Sequence, residues 1–228
     1  MITSIMQPTF LPSAIYFSLI LQSDNFVFLD NVQFSKQSWQ QRNLILTNSG
    51  PKWITLPIEK KGNTLINEVK INVSNKLIKK NLKTIKESYS KEKYFKNYFP
   101  KLENIFTEND DRLFSKNIKI IKWICKCLDI KSNFYLSSEL TNNLDRVERL
   151  IEICRYLNTT TYLSPTGSKT YLNNNEELFK QKNIIVHYNN FNNDNFTEKG
   201  KVLSILHFLF LKGPNTLDMI KKSILNNK

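Results

Sequence analysis

The chain has 228 residues, a mass of 26.9 kDa and a hydrophobic fraction of 40%, enough for one large domain or two small ones with a genuine core. Its 12% aromatic content excludes a disordered chain, its 5 Gly and 7 Pro exclude collagen-like and low-complexity architectures, and a mean hydropathy of -0.39 argues against an integral membrane protein. Lys and Arg number 33 against 20 Asp and Glu, giving a net charge of +13, which attracts nucleic acid, anionic membrane or phosphorylated small molecules, although a Lys excess amid so much Asn and Ile is also the signature of AT-rich codon usage.

The pattern opens as strand, loop, helix, strand. Ile2 to Met6 reads as a short strand ending in a Gln-Pro turn. Pro12 stands where a helix can begin, and Ile15, Leu19 and Ile20 give that helix a buried face through Gln22. Asn25 to Asp30 is a nearly continuous apolar run, suited to a central parallel strand covered on both faces. Asp30 closes it at the carboxyl end, the edge at which open α/β sheets collect ligands. Asn31 to Asn43 is polar and aromatic, without helical or strand periodicity. Trp53 to Ile58 and Glu68 to Val73 read as strands, separated by a charged turn over Glu59 to Gly62.

The middle reads as helical: Lys76 to Tyr89, an aromatic face at Tyr94, Tyr98 and Phe99, an interruption at Pro100, a short amphipathic piece, then Leu113 to Leu128 capped by Asp111. Residues 76–130 are thus a possible helical subdomain inserted within a single domain spanning 1–228. Next come a strand over Asn133 to Ser137 and a helix over Asp145 to Leu157. The last third alternates again: strand Thr160 to Leu163, loop Ser164 to Lys169, helix Tyr171 to Gln181, strand Ile184 to Tyr188, then helices Val202 to Leu211 and Thr216 to Leu225 about a Gly213-Pro214 breaker. This predicts an α/β protein with a mainly parallel or mixed Rossmann-like sheet flanked by helices.

The chemistry-bearing residues are few. Three cysteines do not make a closed disulfide framework, and Cys125 and Cys127, two apart on a helix, share no face for a metal. The N-terminus lacks the basic start and cleavage site of a signal peptide, so a reduced, cytoplasmic protein without membrane insertion is expected. Of the two histidines, His187 at a strand end is a candidate general base. Pro165 to Thr170 fails the Walker A spacing, but small and hydroxylated residues (Ser164, Gly167, Ser168) between a strand and a helix can hold an anion on free N–H groups, with Lys169 adding charge. Lys36, Trp39, Arg42 and Asn43 interleave cations with an aromatic, a pattern that can stack a base or sugar and clamp a phosphate.

Read together, these segments resemble the WbqC-like family. The resemblance runs through Gln7-Pro8-Thr9-Phe10-Leu11-Pro12, Val27-Phe28-Leu29-Asp30-Asn31-Val32-Gln33-Phe34, Ser38-Trp39-Gln40-Gln41-Arg42-Asn43, Trp53-Ile54-Thr55-Leu56-Pro57, Ser137-Ser138-Glu139-Leu140, Tyr162-Leu163-Ser164 with Gly167-Ser168 and Tyr171-Leu172, and Leu203-Ser204-Ile205-Leu206. It departs from the family pattern at His207 and at Pro165. Such proteins sit with bacterial O-antigen and other surface-polysaccharide genes. The resemblance therefore implies acyl or aminoacyl transfer to the amine of a nucleotide-linked amino sugar. The donor would be a CoA thioester, a carrier-protein thioester or a charged tRNA. On this reading Gln7, Gln33, Lys36, Trp39, Arg42, Asn43 and Tyr171 bind substrate, Asp30 or His187 takes the amine proton, and Ser164, Gly167, Ser168 and Lys169 hold an anion or oxyanion. The alternatives are a non-catalytic basic protein that binds tRNA or a glycan-assembly partner, and an ATP-dependent nucleotidyltransferase-like enzyme, whose His-x-Gly-His signature is absent here.

Overall fold

The computed structural model describes residues 1–59, 64–72, 76–141 and 144–225. In chain order its elements are β1 (Ile2–Met6), α1 (Ala14–Leu21), β2 (Asn25–Phe28), β3 (Arg42–Thr47), β4 (Gly50–Thr55), β5 (Ile58–Glu59), β6 (Lys70–Ile71), α2 (Lys76–Tyr89), α3 (Phe95–Thr107), α4 (Leu113–Cys127), β7 (Asn133–Leu136), α5 (Ser137–Leu140), α6 (Arg146–Tyr156), β8 (Thr161–Pro165), α7 (Lys169–Leu172), α8 (Glu176–Lys180), β9 (Ile185–Asn189), β10 (Thr197–Glu198), β11 (Lys201–Val202), α9 (Ile205–Lys212) and α10 (Thr216–Ser223).

Five strands form one sheet in the order β7-β2-β1-β8-β9, every pairing parallel. Side chains on its strands alternate between two apolar clusters, as a pleated strand buried on both faces requires. Phe26, Phe28 and Leu163 enter the larger cluster with α1, whereas Ile5, Val27 and Tyr162 enter the smaller one with α6. Helices thus cover both faces. The chain builds outward from β1 through β2 to β7, then returns to add β8 and β9 on the other side. The order reverses between β1 and β8, and at such a switch point the connecting loops diverge and leave a crevice beyond the strand ends.

The segment between β2 and β7 carries the β3–β4 hairpin, the β5–β6 pair and helices α2 to α4. Ile78, Leu82, Ile85, Ile120, Ile121 and Ile124 from those helices lie in the same cluster as Phe17 of α1 and Phe26 of β2. Two residues lock the insertion. Lys116, 1% exposed, donates from Nζ to the carbonyls of Ile105 (2.7 Å), Phe106 (3.3 Å) and Glu108 (3.4 Å) at the carboxyl end of α3. Asn117 donates to the carbonyls of Pro8 (3.0 Å) and Gln40 (2.8 Å), tying α4 to the loop after β1.

Several sequence expectations need revision. The helix around Pro100 is not interrupted: α3 runs through it. The carbonyl that Pro100 leaves unpaired belongs to Lys96, and both residues are exposed, so it is open to solvent while Phe95, Phe99, Leu102, Ile105 and Phe106 bury the opposite face. Asp111 does not cap α4. Its neighbour Asp110 accepts from the Arg112 N–H (3.1 Å) and from Ser115 Oγ (2.6 Å), and Asp111 pairs with Lys70 at 3.3 Å. Arg42 and Asn43 begin β3, and the helix expected over Tyr171 to Gln181 is broken by a 3-10 turn at Asn173–Asn175. Lys60 to Gly62 and Val73 lie outside the described residues.

Candidate active site

The loop from Gln7 to Pro12 opens the crevice. Pro8 and Pro12 donate no backbone hydrogen bond, and Leu11 takes a left-handed φ of 45°. The residues that resemble the family motif hold this conformation. Gln40 Nε2 donates to Gln7 Oε1 at 2.7 Å, Phe10 N–H to the Trp39 carbonyl at 2.8 Å, and Asn43 Nδ2 to the Leu11 carbonyl at 2.8 Å. The two distant motif blocks, Gln7 to Pro12 and Ser38 to Asn43, are therefore two sides of one hydrogen-bonded clasp.

Between this clasp and the loop after β8 lies a cleft of about 770 Å³, within the range of small-molecule sites. Its floor is the ends of β1 and β8 and its far wall is the start of α6. Of the residues expected from sequence, it brings together Gln7, Gln33, Trp39, Gly167, Ser168 and Tyr171. Ser164 is fully buried just below, sharing a hydrogen bond with Ser168, which also donates to the Pro165 carbonyl. That network fixes the turn from which the Gly167 backbone faces the cleft.

The remaining candidates lie elsewhere. Asp30 is 1% exposed, and both its oxygens are occupied: Oδ1 accepts from Ser137 Oγ (2.9 Å) and Ser138 N–H (3.0 Å), Oδ2 from Ser138 Oγ (2.7 Å) and Asn67 Nδ2 (3.3 Å). It joins β2 to the start of α5. His187 is exposed in an open recess shared with Lys169, whose ammonium sits 4.9 Å from the Tyr188 ring. Arg42 stacks under Trp53 at 4.3 Å, and Trp53 in turn packs on Trp39 with ring centroids 5.5 Å apart. Arg42 and Asn43 therefore position Trp39 and the clasp rather than line the cleft. Lys36 is exposed and outside the lining.

Sequence reading missed the charged wall. Asp145, Arg146 and Arg149 line the cleft from the first turn of α6. Arg146 lies over the Tyr171 ring at 3.9 Å, which orients both groups. Arg149 Nη2 donates to the Leu144 carbonyl at 2.8 Å, while its Nε is buried with no partner among the described residues. Spacing by three puts Arg146 and Arg149 on one helix face, and that was the available signal. Among the described residues, Asp145 is the one carboxylate in the lining. None of the three thiols is a ready nucleophile: burial pushes Cys125 and Cys154 up to about 12 and Cys127 to about 11. Among the described residues no helix is long and apolar enough to cross a membrane.

A parallel sheet wound on both faces, with an arginine-walled cleft at its switch point, defines this as a doubly wound α/β protein with a cleft at the edge where such sheets collect ligands. The chain belongs to the WbqC-like protein family, whose model matches residues 7–219. It is also similar to the uncharacterized protein Rv1507c of Mycobacterium tuberculosis, at 27% identity over 228 residues and 96% of each chain. No solved structure matches it.

Proposed function

We propose that the switch-point cleft binds a nucleotide-linked amino sugar and that the protein transfers an acyl or aminoacyl group to the sugar amine, in surface-polysaccharide assembly. The observation that carries this reading is the division of the cleft between a cationic wall at the start of α6 and an amide-rich, aromatic face at the clasp. Arg146 and Arg149 suit a diphosphate, which guanidinium groups bind through paired charge-assisted hydrogen bonds. Gln7 and Gln33 suit sugar hydroxyls, and Trp39 offers a flat apolar face.

The lining also fits a reaction in which substrate supplies the nucleophile. The amine lone pair attacks the donor's acyl carbonyl carbon, the C–N bond forms, and the bond from that carbon to the donor's sulfur or oxygen breaks. The amine proton passes to a base and on to the leaving thiolate or alkoxide. Asp145 faces this space, whereas Asp30 and His187 are held away from it, so we assign the base to Asp145. The Gly167 and Ser168 turn is the element that can present N–H groups to the oxyanion.

Incubation with nucleoside diphosphate amino sugars and acyl thioesters, followed by mass spectrometry, tests the reading. An N-acylated product that depends on Asp145 supports it; no product with any amino sugar or donor removes it. A second reading, RNA binding, is favoured by the exposed lysines Lys76, Lys79, Lys80, Lys83 and Lys86 on α2. Binding of bulk tRNA that falls steeply with salt, with no response to amino sugars, would select it.

A further inference from the structure

A second, smaller pocket of about 300 Å³ adjoins the cleft. The two share Met6, Thr9, Trp39 and Pro165. Met6 ends β1 and Pro165 ends β8, so the pockets meet at the switch point itself. Beyond that junction Ile15, Tyr16 and Leu19 of α1 form one wall and Val202 another. The character changes sharply across the junction: the cleft holds two arginines and an aspartate, and among the described residues no Asp, Glu, Lys, Arg or His lines the smaller pocket. Its amides are Asn43, committed to the Leu11 carbonyl, and Asn193, whose Oδ1 is buried without a partner among the described residues.

We infer that this pocket receives the hydrocarbon chain of the donor, so that the transferred group is a short uncharged acyl chain and not an aminoacyl group. The inference rests on the reading of the cleft as the amino-sugar site. An aminoacyl group carries an α-ammonium with three donors. Taking that charge out of water without a carboxylate is strongly disfavoured, and the pocket offers it only neutral acceptors, Asn193 Oδ1 and the Thr9 and Ser13 hydroxyls. A neutral chain meets the apolar side chains of Ile15, Leu19 and Val202, and Asn193 Oδ1 remains for a hydroxyl on it. With the chain in the pocket, the acyl carbonyl lies at the junction beside Thr9, where an amine held in the cleft reaches it. The C–N bond forms, the C–S bond of a thioester donor breaks, and the thiol leaves with the amine proton.

The experiment uses N-acetylcysteamine thioesters as probes, titrated calorimetrically into the full-length protein. Isobutyryl and alanyl thioesters differ by one methyl replaced by an ammonium, and acetyl and butyryl differ by two methylenes. Butyryl should bind about 15-fold more tightly than acetyl, at about 0.8 kcal/mol per buried methylene, and isobutyryl more than 10-fold more tightly than alanyl. Val202→Phe fills the pocket and should abolish the chain-length preference, leaving binding of a nucleoside diphosphate amino sugar within twofold. Ile15→Phe fills it from the opposite wall and should do the same, so misfolding of one variant is not mistaken for loss of the pocket. Equal binding of alanyl and isobutyryl, or a chain-length preference that survives both fillings, overturns the inference. If the preference and its loss are seen while no amino-sugar nucleotide binds, the pocket stands and the reading of the cleft falls.

Discussion

Arg149 is the residue on which the cationic wall turns. One of its nitrogens is anchored on the Leu144 carbonyl at 2.8 Å and its Nε has no partner among the described residues, so the guanidinium is oriented before any ligand arrives. Arg149→Met keeps the apolar stem and helix propensity but removes the charge and the fork. Loss of charge-assisted hydrogen bonds to a phosphate is worth about 1.5–3 kcal/mol, a roughly 10- to 150-fold rise in Kd. The fold loses one bond to a neutral carbonyl, about 1 kcal/mol, or a fall in Tm of about 2–4 °C. Arg149→Lys keeps the charge without the planar fork and should fall between. Arg155 is the control. It lies at the far end of the same helix, pairs with Glu152 at 2.7 Å and is outside the cleft. Calorimetric titration of a nucleoside diphosphate amino sugar at two salt concentrations separates the possibilities. A Kd within twofold of wild type for Arg149→Met, or equal losses in Arg149→Met and Arg155→Met, would refute the reasoning, the second by showing that only overall charge matters.

Other consequences concern the frame around the site. Lys116→Met leaves three carbonyls at the end of α3 without their shared donor, and urea unfolding should report a loss of about 2–4 kcal/mol; a variant as stable as wild type would mean that burying the ammonium costs as much as its bonds return. Gly213 has a φ of 57°, and a Cβ there would lie 2.6 Å from two carbons of the Tyr94 ring, so Gly213→Ala should cost about 2–5 kcal/mol by the same measurement, and a cost below this range would mean that Tyr94 swings aside freely. His207 favours its neutral form: it is buried, which lowers its pKa, and its Nδ1 shares a hydrogen bond of 3.2 Å with Tyr89 Oη, which also accepts from the Leu46 N–H at 3.0 Å. The unfolded chain takes up a proton near its ordinary pKa of about 6.5 and the folded chain resists it. Stability from this group is thus full above that pH and declines as pH falls, by up to about 1.4 kcal/mol per unit. Urea midpoints at pH 7.5 and 5 should diverge more for wild type than for His207→Asn, and identical pH dependence would contradict the assignment.

Much of the sheet was legible because its strands announce themselves locally. Ile2 to Met6 stops at Gln7-Pro8, and Phe26 to Phe28 is apolar on both faces because both faces are covered. The range of α2 was equally plain, since Ile78, Leu82, Ile85 and Tyr89 keep one buried face against a lysine-rich other. The β3 strand was not, because it begins with Arg42 and Asn43, polar residues whose partners, Trp53 and the Leu11 carbonyl, lie elsewhere in the chain. The strand-end loops that hold Gln7, Gly167 and Ser168 could be read from the strand-to-helix pattern. Asp30 stands at its strand end as expected, but the groups that occupy it, Ser137 and Ser138, come 107 and 108 residues later. Arg146 and Arg149 escaped notice because α6 is recognised by its apolar stripe, and the cleft faces its polar first turn.

The central claim is that the switch-point cleft is the ligand site. Hydrogen–deuterium exchange with and without a saturating nucleoside diphosphate amino sugar tests it most directly. Slowed exchange is expected to be confined to residues 7–12, residues 33–40, the first turn of α6 and residues 165–171, which frame the cleft. Protection on the lysine face of α2, or no protection anywhere, would contradict it.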